Sequence, residues 1–82
     1  MKFVNLTDFV EAVRAVAEPT RLRILDVLAD GELTVSELCR VLAMSQPRIS
    51  RHLRIMTEAG VLTRQVEGSW VFYRSASHGE DR

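Results

Sequence analysis

One cysteine among 82 residues, Cys39, leaves no internal disulfide framework and fits a reducing compartment. No run of about 18 apolar residues occurs, so no membrane-spanning helix and no membrane partner are expected. The N-terminus lacks the basic-then-apolar pattern of a secretory signal, and the expected location is cytoplasmic. Internal repeats and low-complexity linkers are missing as well. So is any grouping of nucleophile, base and pocket, which sets a stand-alone enzyme aside. Ser50 and His52 make no catalytic pair, because two residues apart on a helix they point about 200° away from each other. His52 has no ligating neighbour one turn on except Met56, so it reads as packed or phosphate-facing. Neither a metal nor a cofactor is expected.

Net charge is missing too, since 11 basic side chains offset 11 acidic ones. At first sight this argues against a nucleic-acid binder. The charges are segregated, however. Residues 1–37 hold four basic and seven acidic side chains, a balance of −3; residues 41–75 hold five arginines against Glu58 and Glu67, a balance of +3. Phosphate binding depends on the local footprint rather than the total. The length, with 46% apolar and 27% charged residues, describes one small globular domain.

The stretch 45–58 organises the positive half. Ile49, Leu53 and Met56 recur at i, i+4 and i+7, an apolar stripe that must pack on something. The other side carries Pro47, Arg48, Ser50, Arg51 and Arg54, with no acid before Glu58. A helix that is apolar behind and cationic in front suits a DNA major groove. A merely solvated basic face is the plain alternative.

The rest of the chain builds a frame around that helix. Leu6, Phe9, Val10, Val13, Val16 and Ala17 follow helical spacing over 6–17, with Asn5 and Asp8 as an N-terminal cap. This first helix has more apolar residues than one stripe needs, enough for a core on one side and a partner chain on the other. Pro19 opens a second helix at N1. Leu22, Leu25, Leu28 and Ala29 are its expected buried stripe, and Asp30-Gly31 ends it with a residue free to adopt φ > 0. Thr34-Val35-Ser36-Glu37 is a capping box for a third helix, with Leu38, Val41 and Leu42 as its apolar face. Only Ala43 and Met44 follow before Ser45, whose hydroxyl is expected to cap the basic helix. Two helices joined this closely, the second polar and basic, form a helix-turn-helix.

After Gly60 the period changes from helix to strand. Residues 62–66 and 70–74 are β-branched and aromatic runs around Glu67-Gly68-Ser69, a hairpin with a glycine turn. The fold class that follows is mostly α with a small β-hairpin, a winged helix-turn-helix in the order α-α-α-α-β-β. The domain is expected over 1–75, with a frayed polar tail at 76–82.

Three segments carry a family resemblance: Ala17-Glu18-Pro19-Thr20-Arg21-Leu22-Arg23-Ile24-Leu25, Ser45-Gln46-Pro47-Arg48-Ile49-Ser50-Arg51-His52-Leu53 and Glu67-Gly68-Ser69-Trp70-Val71-Phe72-Tyr73-Arg74. In order and spacing they resemble the arsenical-resistance-repressor (ArsR/SmtB) family of bacterial transcription regulators. The resemblance implies a homodimeric winged-helix repressor that binds an imperfect palindrome and releases it when an effector binds.

The departures from that pattern matter. Members that sense arsenic or soft metals carry a Cys-Val-Cys pair where this chain has Thr34 and Ser36 around Val35, and a hydroxyl is no thiolate. Other members bind zinc-like metals on a helix after the wing. The sequence stops before that helix, and His78 is a poor substitute. The same helix usually completes the dimer, which leaves the first helix as the expected dimer contact. Ala43 stands where the turn often has glycine. No effector site is evident.

The expected DNA contacts are Gln46, Pro47, Arg48, Ser50, Arg51 and Arg54 on the helix, with Arg64 and Ser69 on the wing. Gln46 matches an adenine edge, and the resemblance places it at the groove. Arg51 can fork onto a guanine or grip a phosphate, and Arg48 can read a base or only add charge. Arg54 is a phosphate contact, and Pro47 can touch a thymine methyl. Arg74 is a further phosphate candidate. Ser69 replaces a frequent arginine and implies a weaker wing grip. Trp70, Phe72 and Tyr73 read as core or interface, and Cys39 as a small core hydrophobe. The leading function is a sequence-specific, double-stranded-DNA-binding repressor. The alternative is the N-terminal winged helix of a larger protein, such as a methyltransferase fusion, or a winged helix used for protein interaction.

Overall fold

Helix α1 (Leu6–Val16) starts where Asn5 accepts the Asp8 N–H on its side-chain oxygen at 2.9 Å, the cap read from those two residues. A computed structural model describes residues 4–76. Apart from Ala76, the tail at 76–82 lies outside the described residues, as does His78. Helix α2 (Pro19–Val27) has its proline at the first helical positions, as expected. Its cap was not foreseen: the Glu18 carboxylate accepts the Arg21 N–H at 2.9 Å. The exit from α2 also differs from expectation. Leu28–Asp30 tighten into a 3₁₀ turn, and Gly31, at φ 161°, is ordinary extended backbone rather than a left-handed stop.

Helix α3 (Val35–Leu42) carries the complete capping box. The Glu37 N–H donates to Thr34 Oγ1 at 3.2 Å, and the Thr34 N–H donates to Glu37 Oε1 at 2.8 Å. Ala43 then turns the chain with φ 55° and ψ 47°. A left-handed alanine costs about 1–2 kcal/mol, which is why glycine suits this position. Helix α4 (Gln46–Glu58) follows after Ser45 and ends before Gly60, whose φ is 84°.

Strands β2 (Leu62–Glu67) and β3 (Trp70–Ser75) form the hairpin. Glu67 pairs with Trp70, so the turn is Gly68-Ser69, one residue shorter than the expected Glu67-Gly68-Ser69. Gly68 has φ 63°, matching the positive φ that two-residue hairpin turns want at their first position. A third strand, β1 (Leu33–Thr34), pairs Leu33 with Tyr73 and Thr34 with Phe72, so the sheet order is β1-β3-β2. Two residues are too few to show a period, and β1 went unpredicted.

The core is assembled around α4. Ile49, Leu53 and Met56 are fully buried with Ile24, Leu28 and Leu38, and Leu42, Val61 and Leu62 close the cluster. Two expected core residues of the second helix are corrected: Leu22 and Ala29 are exposed, and Ile24 takes the inner position. Val41 is likewise exposed, while Cys39 and Tyr73 pack against the core. Trp70, read as core or interface, is 61% exposed. Helix α1 reverses the usual arrangement. Its small residues Ala12 and Ala15 face inward, and its large ones, Leu6, Phe9, Val10 and Val13, face out.

Because Leu53 is fully buried and Arg54 beside it is exposed, the two truncations should separate. In urea denaturation at fixed protein concentration, Leu53→Ala should cost about 2–5 kcal/mol. Arg54→Ala should stay within about 0.5 kcal/mol.

Candidate nucleic-acid interface

With Ile49, Leu53 and Met56 locked into the core, the opposite face of α4 must point outward. At 100° per residue, Gln46, Ser50, Arg54, Pro47 and Arg51 fall within about 140° of arc. All are exposed except Ser50, which is half-buried. Arg48, also exposed, lies about 60° beyond Arg51, on the flank that carries His52. The fold therefore brings the six helix candidates onto one surface, with Arg48 at its margin. No acidic side chain interrupts this surface before Glu58.

The N-terminus of α4 is open. Ser45 occupies the cap position with extended backbone, but its hydroxyl makes no capping bond, contrary to expectation. Only its carbonyl is used, accepting the Ile49 N–H at 3.0 Å. First-turn N–H groups left without a side-chain cap, at the positive end of the helix dipole, suit an anionic ligand. By contrast, the Thr34 hydroxyl at the start of α3 is buried and committed to Glu37.

On the wing, Arg64 is exposed and stands opposite Tyr73, while Ser69 is exposed at the turn. Arg74 stands opposite Thr63 on the other face of the sheet. It is half-buried, and its Nε has no hydrogen-bond partner. The wing thus presents Arg64 more freely than Arg74.

His52 is held from behind. Nη1 of Arg21 lies 3.1 Å from its Nδ1, and Arg21 Nε donates to the Ala15 carbonyl. Burial holds the His52 ring below the usual imidazole range; Glu18 opposes that, and Arg21, Arg51 and Arg48 add to it. Glu18 titrates below the usual carboxylate range, chiefly because the Arg21 N–H donates to it. The histidine is thus packed against another helix. Arg21 was not singled out as a functional residue, and 31 residues of separation hide the pair from any local pattern.

The model for bacterial regulatory proteins of the arsR family matches residues 18–64, from the α2 cap to the third residue of β2. The chain belongs to the ArsR family. The arsenical resistance operon repressor of Escherichia coli (strain K12) is 43% identical over 70 residues, which cover 84% of this chain and 60% of that one. A homodimeric winged helix-turn-helix DNA-binding domain from Mycobacterium bovis, described as a possible ArsR-family regulator, superposes with a TM-score of 0.84. Its identity is 30%, over 90% of this chain and 68% of that one. HlyU from Vibrio cholerae N16961 superposes with a TM-score of 0.81 at 32% identity, over 96% and 91% of the two chains. The chain spans about half the length of several curated relatives it matches.

As an ArsR-family winged helix-turn-helix, the chain uses α3 and α4 as the helix pair and β2–β3 as the wing. Among the described residues, no three His, Cys, Asp or Glu side chains gather as metal ligands, and no helix is long and apolar enough to cross a membrane.

The two helix caps generate a direct comparison. In urea denaturation, Thr34→Ala should cost about 1–2 kcal/mol, because it removes a bonded cap. Ser45→Ala, which removes an unbonded hydroxyl, should cost less than about 0.5 kcal/mol.

Proposed function

We propose that this ArsR-family protein is a transcriptional repressor that binds a palindromic operator as a homodimer. Helix α4 enters the major groove, and the wing rests on the backbone or minor groove. The observation that carries the reading is the outer face of α4: Gln46, Pro47, Ser50, Arg51 and Arg54 together, Arg48 at the edge, and an uncapped N-terminus behind them. Gln46 and Arg51 supply planar donors for base edges, while Arg48, Arg54 and Arg64 supply phosphate contacts. Ser69 at the wing tip adds a polar contact without charge. The name of the E. coli relative, an operon repressor, supports the same reading.

A second copy is the proposed partner of α1. Leu6, Phe9, Val10 and Val13 are 75%, 51%, 38% and 45% exposed, and they fall within about 100° of helical arc. Such a contiguous apolar face is costly to leave in water. The M. bovis relative is described as homodimeric. The protomer's longest extent is 34 Å. Half-sites one turn apart, about 34–36 Å centre to centre, therefore call for two protomers side by side.

The proposed effector is something other than a soft metal bound through this start of α3. Thr34 has spent its hydroxyl on the helix cap, and Ser36 offers no thiolate. The protein is proposed to act in the cytoplasm, where such DNA lies.

Binding to a palindromic duplex, selected by the protein from a random-sequence pool, tests these assignments. Arg51→Ala and Gln46→Ala should each lose about 1–3 kcal/mol of discrimination at one base position. Arg64→Ala should weaken all sequences alike and flatten the log–log salt slope by about 0.9. Val13→Asp should turn a dimer into a monomer on gel filtration. Unchanged palindrome binding in both Gln46→Ala and Arg51→Ala would sink the reading. In the same assay, arsenite should leave the affinity of the wild-type protein unchanged.

A further inference from the structure

Arg21 touches three helices at once. Its backbone N–H is held by Glu18 at the start of α2, its Nε donates to the Ala15 carbonyl near the end of α1, and its Nη1 meets His52 Nδ1 on α4 at 3.1 Å. We propose that Arg21 is a positioning residue for the recognition helix: it ties the end of α1 to neutral His52, and protonation of His52 releases the tie. The proposal rests on α4 being the DNA-reading helix.

The chemistry of the contact fixes the state of the ring. An arginine side chain has donors only, so Nδ1 must offer a lone pair, and the ring proton sits on Nε2. An imidazolium would set N–H against N–H and positive charge against positive charge. The contact therefore exists only while His52 is neutral. The charges acting on the ring are Glu18 and Arg21 from α2 with Arg48 and Arg51 from its own helix, one anion against three cations. From α1, Asp8, Glu11 and Arg14 line the groove next to Arg21, and Glu58 of α4 faces the same groove. Burial adds to the preference for the neutral ring.

The tie joins two parts that must keep register. Ala15 belongs to the inward face of α1, the helix whose outer face is the proposed dimer contact. His52 lies between Arg51 on the reading face and Leu53 in the core. Two α4 helices spaced for one turn of DNA depend on each being fixed relative to the α1 that joins them. Releasing the tie loosens that spacing without removing any DNA-contacting side chain.

The sign of the pH effect follows from the depressed folded value. Above pH about 6.5 the ring is neutral in folded and unfolded chains alike, and the tie contributes fully. Below that the unfolded chain takes up the proton first, so stability falls as pH falls through the folded value. DNA binding should weaken lower still, below the folded value, where the ring of the folded protein itself takes up the proton. A histidine facing phosphate would do the reverse, because its added charge would tighten binding.

The test uses the whole chain in a His78→Gln background, so that His52 is the sole histidine. Anisotropy with the selected duplex is measured from pH 7.5 to 5.5 at constant ionic strength. Affinity should fall by up to about tenfold per pH unit below the His52 midpoint. His52→Gln, whose amide oxygen accepts from Arg21 without titrating, should match the parent at pH 7.5 and show a flat profile. Affinity that rises on acidification, or a His52→Gln profile like the parent's, overturns the proposal. NMR titration of the free protein reads the tie without DNA. The His52 midpoint should lie below that of an unfolded chain and move up in Arg21→Met. A midpoint at or above the unfolded value overturns the tie whatever DNA does. Failure to recover any duplex counts instead against the DNA-binding reading.

Discussion

The burial of Ile49, Leu53 and Met56 constrains everything else in this protein, because the helix proposed to present the binding surface is also the centre of the core. A small domain has little apolar area to spend, and here much of it lies under α4. Helices α2 and α3, with the 3₁₀ turn after α2, supply Ile24, Leu28, Leu38 and Leu42 against that stripe, and the base of the hairpin closes it with Val61 and Leu62. Rotating α4 about its axis would expose the stripe, so its outer face keeps one orientation. The arginines therefore stand on a surface whose rigidity comes from the opposite side of the same helix.

Helix α1 answers a different demand. Beside α1 the core takes in only Ala12 and Ala15 fully and Val16 in part, and Leu6, Phe9, Val10 and Val13 are left outside. The arrangement is stable in water once a like surface covers it, which ties the protomer's packing to its proposed assembly. Arg21 then connects the two: it reaches from α2 to the end of α1 and to His52. The contact that positions α4 is polar and can be broken by a proton, whereas the contacts that hold α4 in the core cannot.

Much of this was legible in the residues. The α4 stripe, the Thr34–Glu37 box, the Asn5 cap and the glycine hairpin each rest on spacings of a few residues, which local chemistry reads directly. The outward set from Gln46 to Arg54 followed from the same stripe. What was misread depended on distant partners or on small shifts of phase. Leu22 and Ala29 fit a helical stripe, yet α2 ends at Val27, and the buried positions are Ile24 in the helix and Leu28 in the 3₁₀ turn that follows. Ser45 has the chemistry of a cap but leaves its hydroxyl unused there. Strand β1 exists only because β3 lies beside it. The Arg21–His52 contact needs three helices to be in place first.

The most direct measurement is the set of backbone amide shifts when the labelled protein is titrated with its selected duplex. If α4 reads DNA with its outer face, the changes concentrate at residues 45–51 and at the wing around 64–69, while the outer face of α1 stays unmoved. Shifts confined to α1, with residues 45–51 unaffected, would contradict the account.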